Sequence, residues 1–269
     1  MRNLLLSATA LGAMVASPAL AQETVGSIGA AYSQPETSLD GFDAEADVWT
    51  FDGTVAMPLS GFTLTLDGAV EQTEILGEED TIGAGAVHLT KTFVGDGRAG
   101  GFVAVDGIGG DADAWTVGAE VQKYLAGSTL TGRAAYSKAD DLDADAWTVD
   151  AEAAFYVLPN LRLAAHAGYG AIEAGDADED GFSYGVGAEY EIASTPFSIV
   201  GDYSRADFDP LEVETFSIGL RYSFGGGVQT RDRAGGGLGY SSVFRTLGVL
   251  GAGGGDDDGG DPDPGPGPV

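Results

Sequence analysis

From residue 24 to residue 224 the chain alternates between apolar and polar side chains in twelve consecutive segments, at 24–34, 46–58, 60–73, 81–93, 97–108, 112–124, 127–138, 145–157, 160–170, 180–192, 196–206 and 212–224. A period of two places successive side chains on opposite faces of an extended strand. Asp145–Gly170 shows the unit most clearly. Trp147, Val149, Ala151, Ala153 and Phe155 share one face, and Thr148, Asp150, Glu152 and Tyr156 the other. After a break at Val157–Asn160, Leu161, Leu163, Ala165, Ala167 and Tyr169 alternate with Arg162, His166 and Gly168. Two such arms around a short turn make a β-hairpin. Its opening residues, Asp145-Ala-Trp-Thr-Val, also occur one hairpin earlier at Asp113-Ala-Trp-Thr-Val, so the hairpin is a repeat unit.

The connections alternate too. Pro58–Gly61, Val94–Gly97, Leu125–Gly127, Leu158–Asn160 and Ala193–Thr195 are short, whereas 35–46, 74–80, 109–113, 139–145, 171–181 and 206–212 together carry 22 carboxylates and no Lys or Arg. Each segment has about the 9–13 residues with which a tilted strand crosses a bilayer. A soluble sandwich or solenoid would pack its apolar face with branched aliphatics. Here that face carries Trp49, Trp115, Trp147, Tyr124, Tyr169, Tyr190 and Tyr222 near strand ends, where an aromatic girdle lies. An even strand number with tight turns at one end and long acidic loops at the other predicts a closed, antiparallel, up-and-down transmembrane β-barrel of about twelve strands, all-β in class. Closure follows from lipid, which leaves no unpaired edge solvated.

Three regions are expected. Residues 1–21 read as a signal peptide, with a positive start at Arg2, an apolar run from Leu4 to Val15 and the small-x-small site Ala19-Leu20-Ala21. Residues 22–224 are the barrel. Residues 225–269, with 16 Gly and a run of Asp and Pro at the end, are too poor in apolar residues to fold alone and are expected as a disordered periplasmic tail. Within that tail only Leu238–Leu250 is apolar enough to order as a short helix or to plug the barrel. Nucleic acid is excluded as a partner, since 42 Asp and Glu against 12 Lys and Arg oppose phosphate binding. No Cys is present, so no disulfide framework is used.

The last segment, Thr215-Phe-Ser-Ile-Gly-Leu-Arg-Tyr-Ser-Phe224, resembles the closing strand of Gram-negative outer-membrane β-barrel proteins of small, porin-like type. Its alternating Phe216, Ile218, Leu220, Tyr222 and Phe224 carry the resemblance. The resemblance implies the bacterial outer membrane, lipopolysaccharide as neighbour and recognition by the barrel-assembly machinery. In the family this strand usually ends the chain, whereas 45 residues follow it here.

If the apolar face meets lipid, the other face lines a lumen. Its charged members are Asp52, Asp67, Glu71, Asp106, Glu120, Asp150, Glu152, Glu189, Glu191 and Asp202 against Arg133, Arg162 and Arg221, with His166 and His88 beside them and small Thr, Ser, Gly and Ala between. A lumen of carboxylates lowers the energy of cations. The expected function is therefore passive diffusion of ions and small hydrophilic solutes, weakly cation-preferring, with no cofactor and no catalysis. The alternatives are a non-conducting structural or surface-interaction barrel whose acidic loops bind cations, and a lipid-modifying enzyme using His88 or His166. No nucleophile motif accompanies either histidine. Asp176, Asp178 and Asp180, followed by Gly181, have the D-x-D-x-D-G spacing that opens a calcium loop. The twelfth position is Gly187 where a bidentate Glu is needed, so Ca2+ or Mg2+ at this loop is the weakest of these expectations.

Overall fold

A computed structural model describes residues 24–39, 42–75, 78–93, 96–109, 112–175, 177–208 and 210–239. Thirteen strands lie among them: β1 (Val25–Leu39), β2 (Phe42–Glu45), β3 (Asp47–Leu59), β4 (Phe62–Ile75), β5 (Glu78–Phe93), β6 (Gly97–Gly109), β7 (Ala112–Leu125), β8 (Ser128–Ala139), β9 (Ala144–Leu158), β10 (Leu161–Ala174), β11 (Ala177–Glu191), β12 (Phe197–Phe208) and β13 (Leu211–Phe224). Each long strand pairs antiparallel with its neighbours in the chain. β13 also pairs with β1, from Gly26 opposite Phe224 to Leu39 opposite Leu211, which closes a twelve-strand barrel. β2 is the addition: it folds back on Glu36–Leu39 at the rim.

Every segment expected from the alternation coincides with one long strand, overrunning it by at most two residues, because each inward side chain is forced to the lumen and each outward one to the apolar surface. The outward face carries Phe51, Val103, Trp147, Phe182 and Leu220, all more than half exposed. An apolar band of this extent is stable only against another apolar phase. Aromatic rings mark both edges of the band. Near the acidic connections Tyr32 meets Trp49, Tyr136 sits between Trp115 and Trp147, and Tyr169 packs on Phe182; at the short-turn end Phe197 meets Tyr222. Tyr124 departs from this set. It follows the inward positions Glu120 and Gln122, and its hydroxyl bonds inside the barrel to Gln122 and to the Arg233 carbonyl.

The acidic connections are shorter than expected because the ladders run into them. Ala171–Ala174 pairs with Ala177–Asp180, and β1 continues through Pro35 to Leu39. Backbone pairing continues wherever a partner strand is at hand, whatever the side chains. Lys138 offsets part of the acid there, 3.5 Å from Asp145 and 3.7 Å from Asp140.

The C-terminal region also departs from the expected tail. Gly225 (φ 88°) and Gly226 (φ 123°) adopt backbone that side chains disfavour and turn the chain off the end of β13. It then forms a single helical turn α1 (Val228–Arg231), continues as a π-helical turn through Asp232–Gly236, and enters the barrel with Leu238 buried. Ordering thus starts ten residues before Leu238, where buried polar partners replace the apolar content that the tail lacks. Residues 1–21 and 240–269 lie outside the described residues.

Candidate functional site

Along the barrel axis the inward face divides into three layers. At the acidic end Ile108, Ala114, Ala139, Ala144, Ala146, Ala206 and Phe208 form one buried cluster, with Ile172 and Leu211 packed against it. Here small residues of the inward face pack together rather than leave space. Alanines from adjacent strands lie close enough for a single Phe208 ring and the three aliphatic side chains of Ile108, Ile172 and Leu211 to occupy the gap between them.

The middle layer is ionic. His88 of β5 is fully buried, with Nε2 3.1 Å from Asp67 Oδ2 and Nδ1 3.1 Å from Glu120 Oε1, and its ring stacks on Phe102 at 5.1 Å. Thr54 donates to Asp67 at 2.5 Å. Arg133 pairs with Asp150 at 2.5 Å, Arg162 with Glu152, and Arg221 with Glu189 at 3.1 Å and Asp52 at 3.9 Å. Asp106 is buried on β6, and Asp202 lines a second cavity beside Arg162 and Arg221. His166 lies opposite Glu152 in register and rests against Gly185. These contacts bring together Asp52, Asp67, Glu120, Arg133, Asp150, Glu152, Arg162, Glu189 and Arg221 of the residues anticipated from the alternation. What the sequence left open is their pairing, because it depends on which side chains reach each other across strands and across the lumen.

Gly185 has a local role in this layer. A Cβ there would lie 2.5 Å from the Tyr203 carbonyl oxygen and 2.5 Å from His166 Cε1. The carbonyl belongs to the ladder and has no room to yield. Gly185→Val is therefore expected to destabilise the barrel by about 1–3 kcal/mol, the usual cost of overpacking. A lower urea midpoint for the compact form on unheated gels would show it, and an unchanged midpoint would refute it.

The third layer, at the short-turn end, is the segment 228–239. Arg231 donates to Glu189 at 2.6 Å and Glu191 at 2.9 Å. Asp232 accepts from the Tyr156 hydroxyl and lies 3.7 Å from Arg162 Nε. Arg233 donates to the carbonyl oxygens of Leu125 and, at 3.0 Å, Ser128, and its guanidinium stands over the rings of Tyr124 (5.3 Å) and Tyr156 (5.6 Å). Arg98 donates to the Arg233 carbonyl at 3.0 Å. Burial, with the Glu152 carboxylate beside it, pushes Asp232 up to about 7.

Arg98, Arg231, Asp232 and Arg233 are the site residues that sequence reasoning missed. Arg98 stands in a Gly- and Ala-rich segment where the period is weak. The other three stand in a composition that reads as solvated. An Arg-Asp-Arg triplet in a Gly-rich stretch, set against a lumen expected to be rich in unpaired acid, was the available signal. Arg98, Arg231 and Arg233 make the lumen less acidic than the lining residues expected from the alternation imply.

Between the layers lies a cavity of about 320 Å³, lined by Asp52, Asp67, Arg133, Glu152, Arg162, Glu189 and Arg221 from the wall and by Arg231 and Asp232 from the segment. A second space of about 220 Å³ lies against β1, β11, β12 and β13, where Gly29, Ala31, Gly187 and Ser217 leave the wall thin. Of the expected metal ligands, Asp176 lies outside the described residues. Asp178 and Asp180 are in extended strand paired with Glu173 and Ala171, and Asp180 accepts from the Tyr169 hydroxyl. The backbone positions of Asp178 and Asp180 stand about 7 Å apart along the strand, without the turn that gathers the ligands of a calcium loop. Among the described residues no cluster of three or more His, Asp or Glu is arranged to hold a metal.

A family described as outer membrane protein beta-barrel domain matches residues 6–224. No curated protein matches the sequence. Solved structures similar in fold include an outer membrane channel from Pseudomonas putida F1, at 12% identity and TM-score 0.58, covering 76% of this chain and 95% of that one. The beta domain of the Bordetella autotransporter BrkA follows at 12% identity and TM-score 0.51, with 74% and 100% covered. A Pseudomonas aeruginosa FadL homologue is 9% identical at TM-score 0.51, with 76% and 91% covered.

Proposed function

Because the chain belongs to the outer membrane protein beta-barrel domain family and so to the bacterial outer membrane, we propose that it is a porin-like channel for passive diffusion of ions and small hydrophilic solutes, weakly cation-preferring. The carrying observation is the charged cavity of about 320 Å³ inside a closed wall. A barrel that only held its own wall together has no need of this polar space, and the fold's likeness to an outer membrane channel supports the reading. In this orientation the short turns and the segment 228–239 face the periplasm and the acidic rim faces outward. Phe224 at the end of β13 would be read by the assembly machinery, and lipopolysaccharide would surround the upper girdle.

A second reading is favoured by the two end layers. With Phe208 and its neighbours filling one mouth and the segment the other, the barrel would not conduct and would serve at the surface through its acidic rim. Planar bilayers separate the two. In a KCl gradient, purified protein lacking the segment is expected to give steps with a reversal potential on the potassium side. Silence across the full-length and shortened forms would leave the second reading, and a chloride-side reversal would overturn the selectivity.

A further inference from the structure

We propose that Glu189 and Glu191 form a lumenal subsite for organic cations of the guanidinium type, and that Arg231 is its resident occupant, a tethered competitor of the permeant cation. The inference rests on the channel reading and names the solute class. Glu189 and Glu191 are two apart on β11, so both project to the lumen. One planar guanidinium spans them, Nη2 to Glu189 Oε1 at 2.6 Å and Nη1 to Glu191 Oε2 at 2.9 Å, with a further bond from Nη1 to the Gly226 carbonyl at 3.2 Å. The fork of donors matches a guanidinium and not the point charge of potassium or an ammonium.

The two acids are not equivalent. Glu189 keeps Arg221 at 3.1 Å when Arg231 leaves, whereas among the described residues Glu191 is ion-paired with Arg231 alone. Withdrawal of Arg231 would therefore leave a negative charge at a half-enclosed site, which draws in a replacement cation. Glu189 and Arg231 both border the cavity of about 320 Å³, so a solute already in the lumen is beside the subsite. The tether is the glycine run Gly225–Gly227, and a short flexible tether holds its end group at an effective concentration on the order of millimolar. Free guanidinium solutes in that range compete once the contacts of Asp232 and Arg233 have let the segment go.

The test uses argininamide as probe. In planar bilayers, Arg231→Ala is expected to conduct, and argininamide added from the short-turn side is expected to interrupt its potassium current at about millimolar concentration. Adding Glu191→Gln should weaken that block about tenfold, the loss of one charge-assisted hydrogen bond, and Arg231→Gln supplies a second unoccupied form should the alanine variant fold poorly. Block that is unaffected by Glu191→Gln, or no block of a conducting Arg231 variant, overturns the subsite and leaves the channel standing. If every Arg231 variant and the shortened barrel are silent, the channel reading falls. The subsite is then decided by heating in detergent, where argininamide must raise the unfolding temperature of Arg231→Ala in a Glu191-dependent way or the inference falls too.

Discussion

Ending the chain at Gly227 is expected to raise the conductance of the barrel by on the order of a hundredfold. Breaking a buried ion pair by removing one partner costs about 3–5 kcal/mol, and each 1.4 kcal/mol is a factor of ten in an equilibrium. The docked segment has one such anchorage, Arg231 on Glu189 and Glu191, while Asp232 lies beside Arg162 and accepts from the Tyr156 hydroxyl. Arg233 adds carbonyl and aromatic contacts, and the Gly235 carbonyl accepts from Thr65 at 3.3 Å. An open fraction of about one per cent or less for the full chain follows from these magnitudes. The shortened form has no segment to dock, so its open fraction is set by the wall and the apolar cluster alone. Single-channel recording of both forms in the same lipid measures the ratio. Equal open fractions would show that the segment does not block the lumen.

Rising pH is expected to open the full-length protein between about pH 5 and pH 7. Asp232 stands at about 7 when docked, against about 3.9 for an exposed aspartate. The docked state therefore binds the proton more tightly than the released one. Docking is strongest below about pH 4, where both states are protonated. It weakens as pH climbs toward 7, because the released carboxylate gives up its proton and the docked one does not. Three units correspond to at most about 4 kcal/mol. Arg133, Arg98 and Arg233 act against the shift and Glu152 with it, while Tyr156 donates to the carboxylate and Arg162 stands beside it. Asp232→Asn should stay docked at pH 8 and lose this dependence. Conductance that falls with pH, or a slope that survives Asp232→Asn, would refute the assignment.

How far the fold was legible follows from particular strands. In β7 the alternation of Trp115, Val117 and Val121 with Thr116, Glu120 and Gln122 dictates both the strand and its phase, since reversing it would put carboxylate into lipid. In β6 the same rule has little to act on, because Gly and Ala are tolerated on either face. Phe102 is aromatic yet points inward, packed on His88, and Arg98 lies buried near the segment. Strand ends at the acidic rim were underestimated because carboxylates there discourage nothing: the backbone pairs through Glu173 and Asp178 regardless. Among the inward residues, Glu152, Arg162 and His166 were legible as lining, whereas the burial of His88 between Asp67 and Glu120 needs β4, β5 and β7 in register.

The linear pattern by itself determined a barrel of twelve strands, its apolar exterior, its polar interior and the difference between its ends. These follow from a local period of two and from solvent, and need no knowledge of which strand meets which. The tertiary structure alone decided that alanines gather into an apolar cluster at one end, that His88, Arg133, Arg162 and Arg221 pair with interior carboxylates, and that Arg231, Asp232 and Arg233 leave an unpromising tail to enter the other end. Those outcomes depend on distances across a closed lumen, where low dielectric makes an unpaired carboxylate costly and draws in whatever cation the chain can reach.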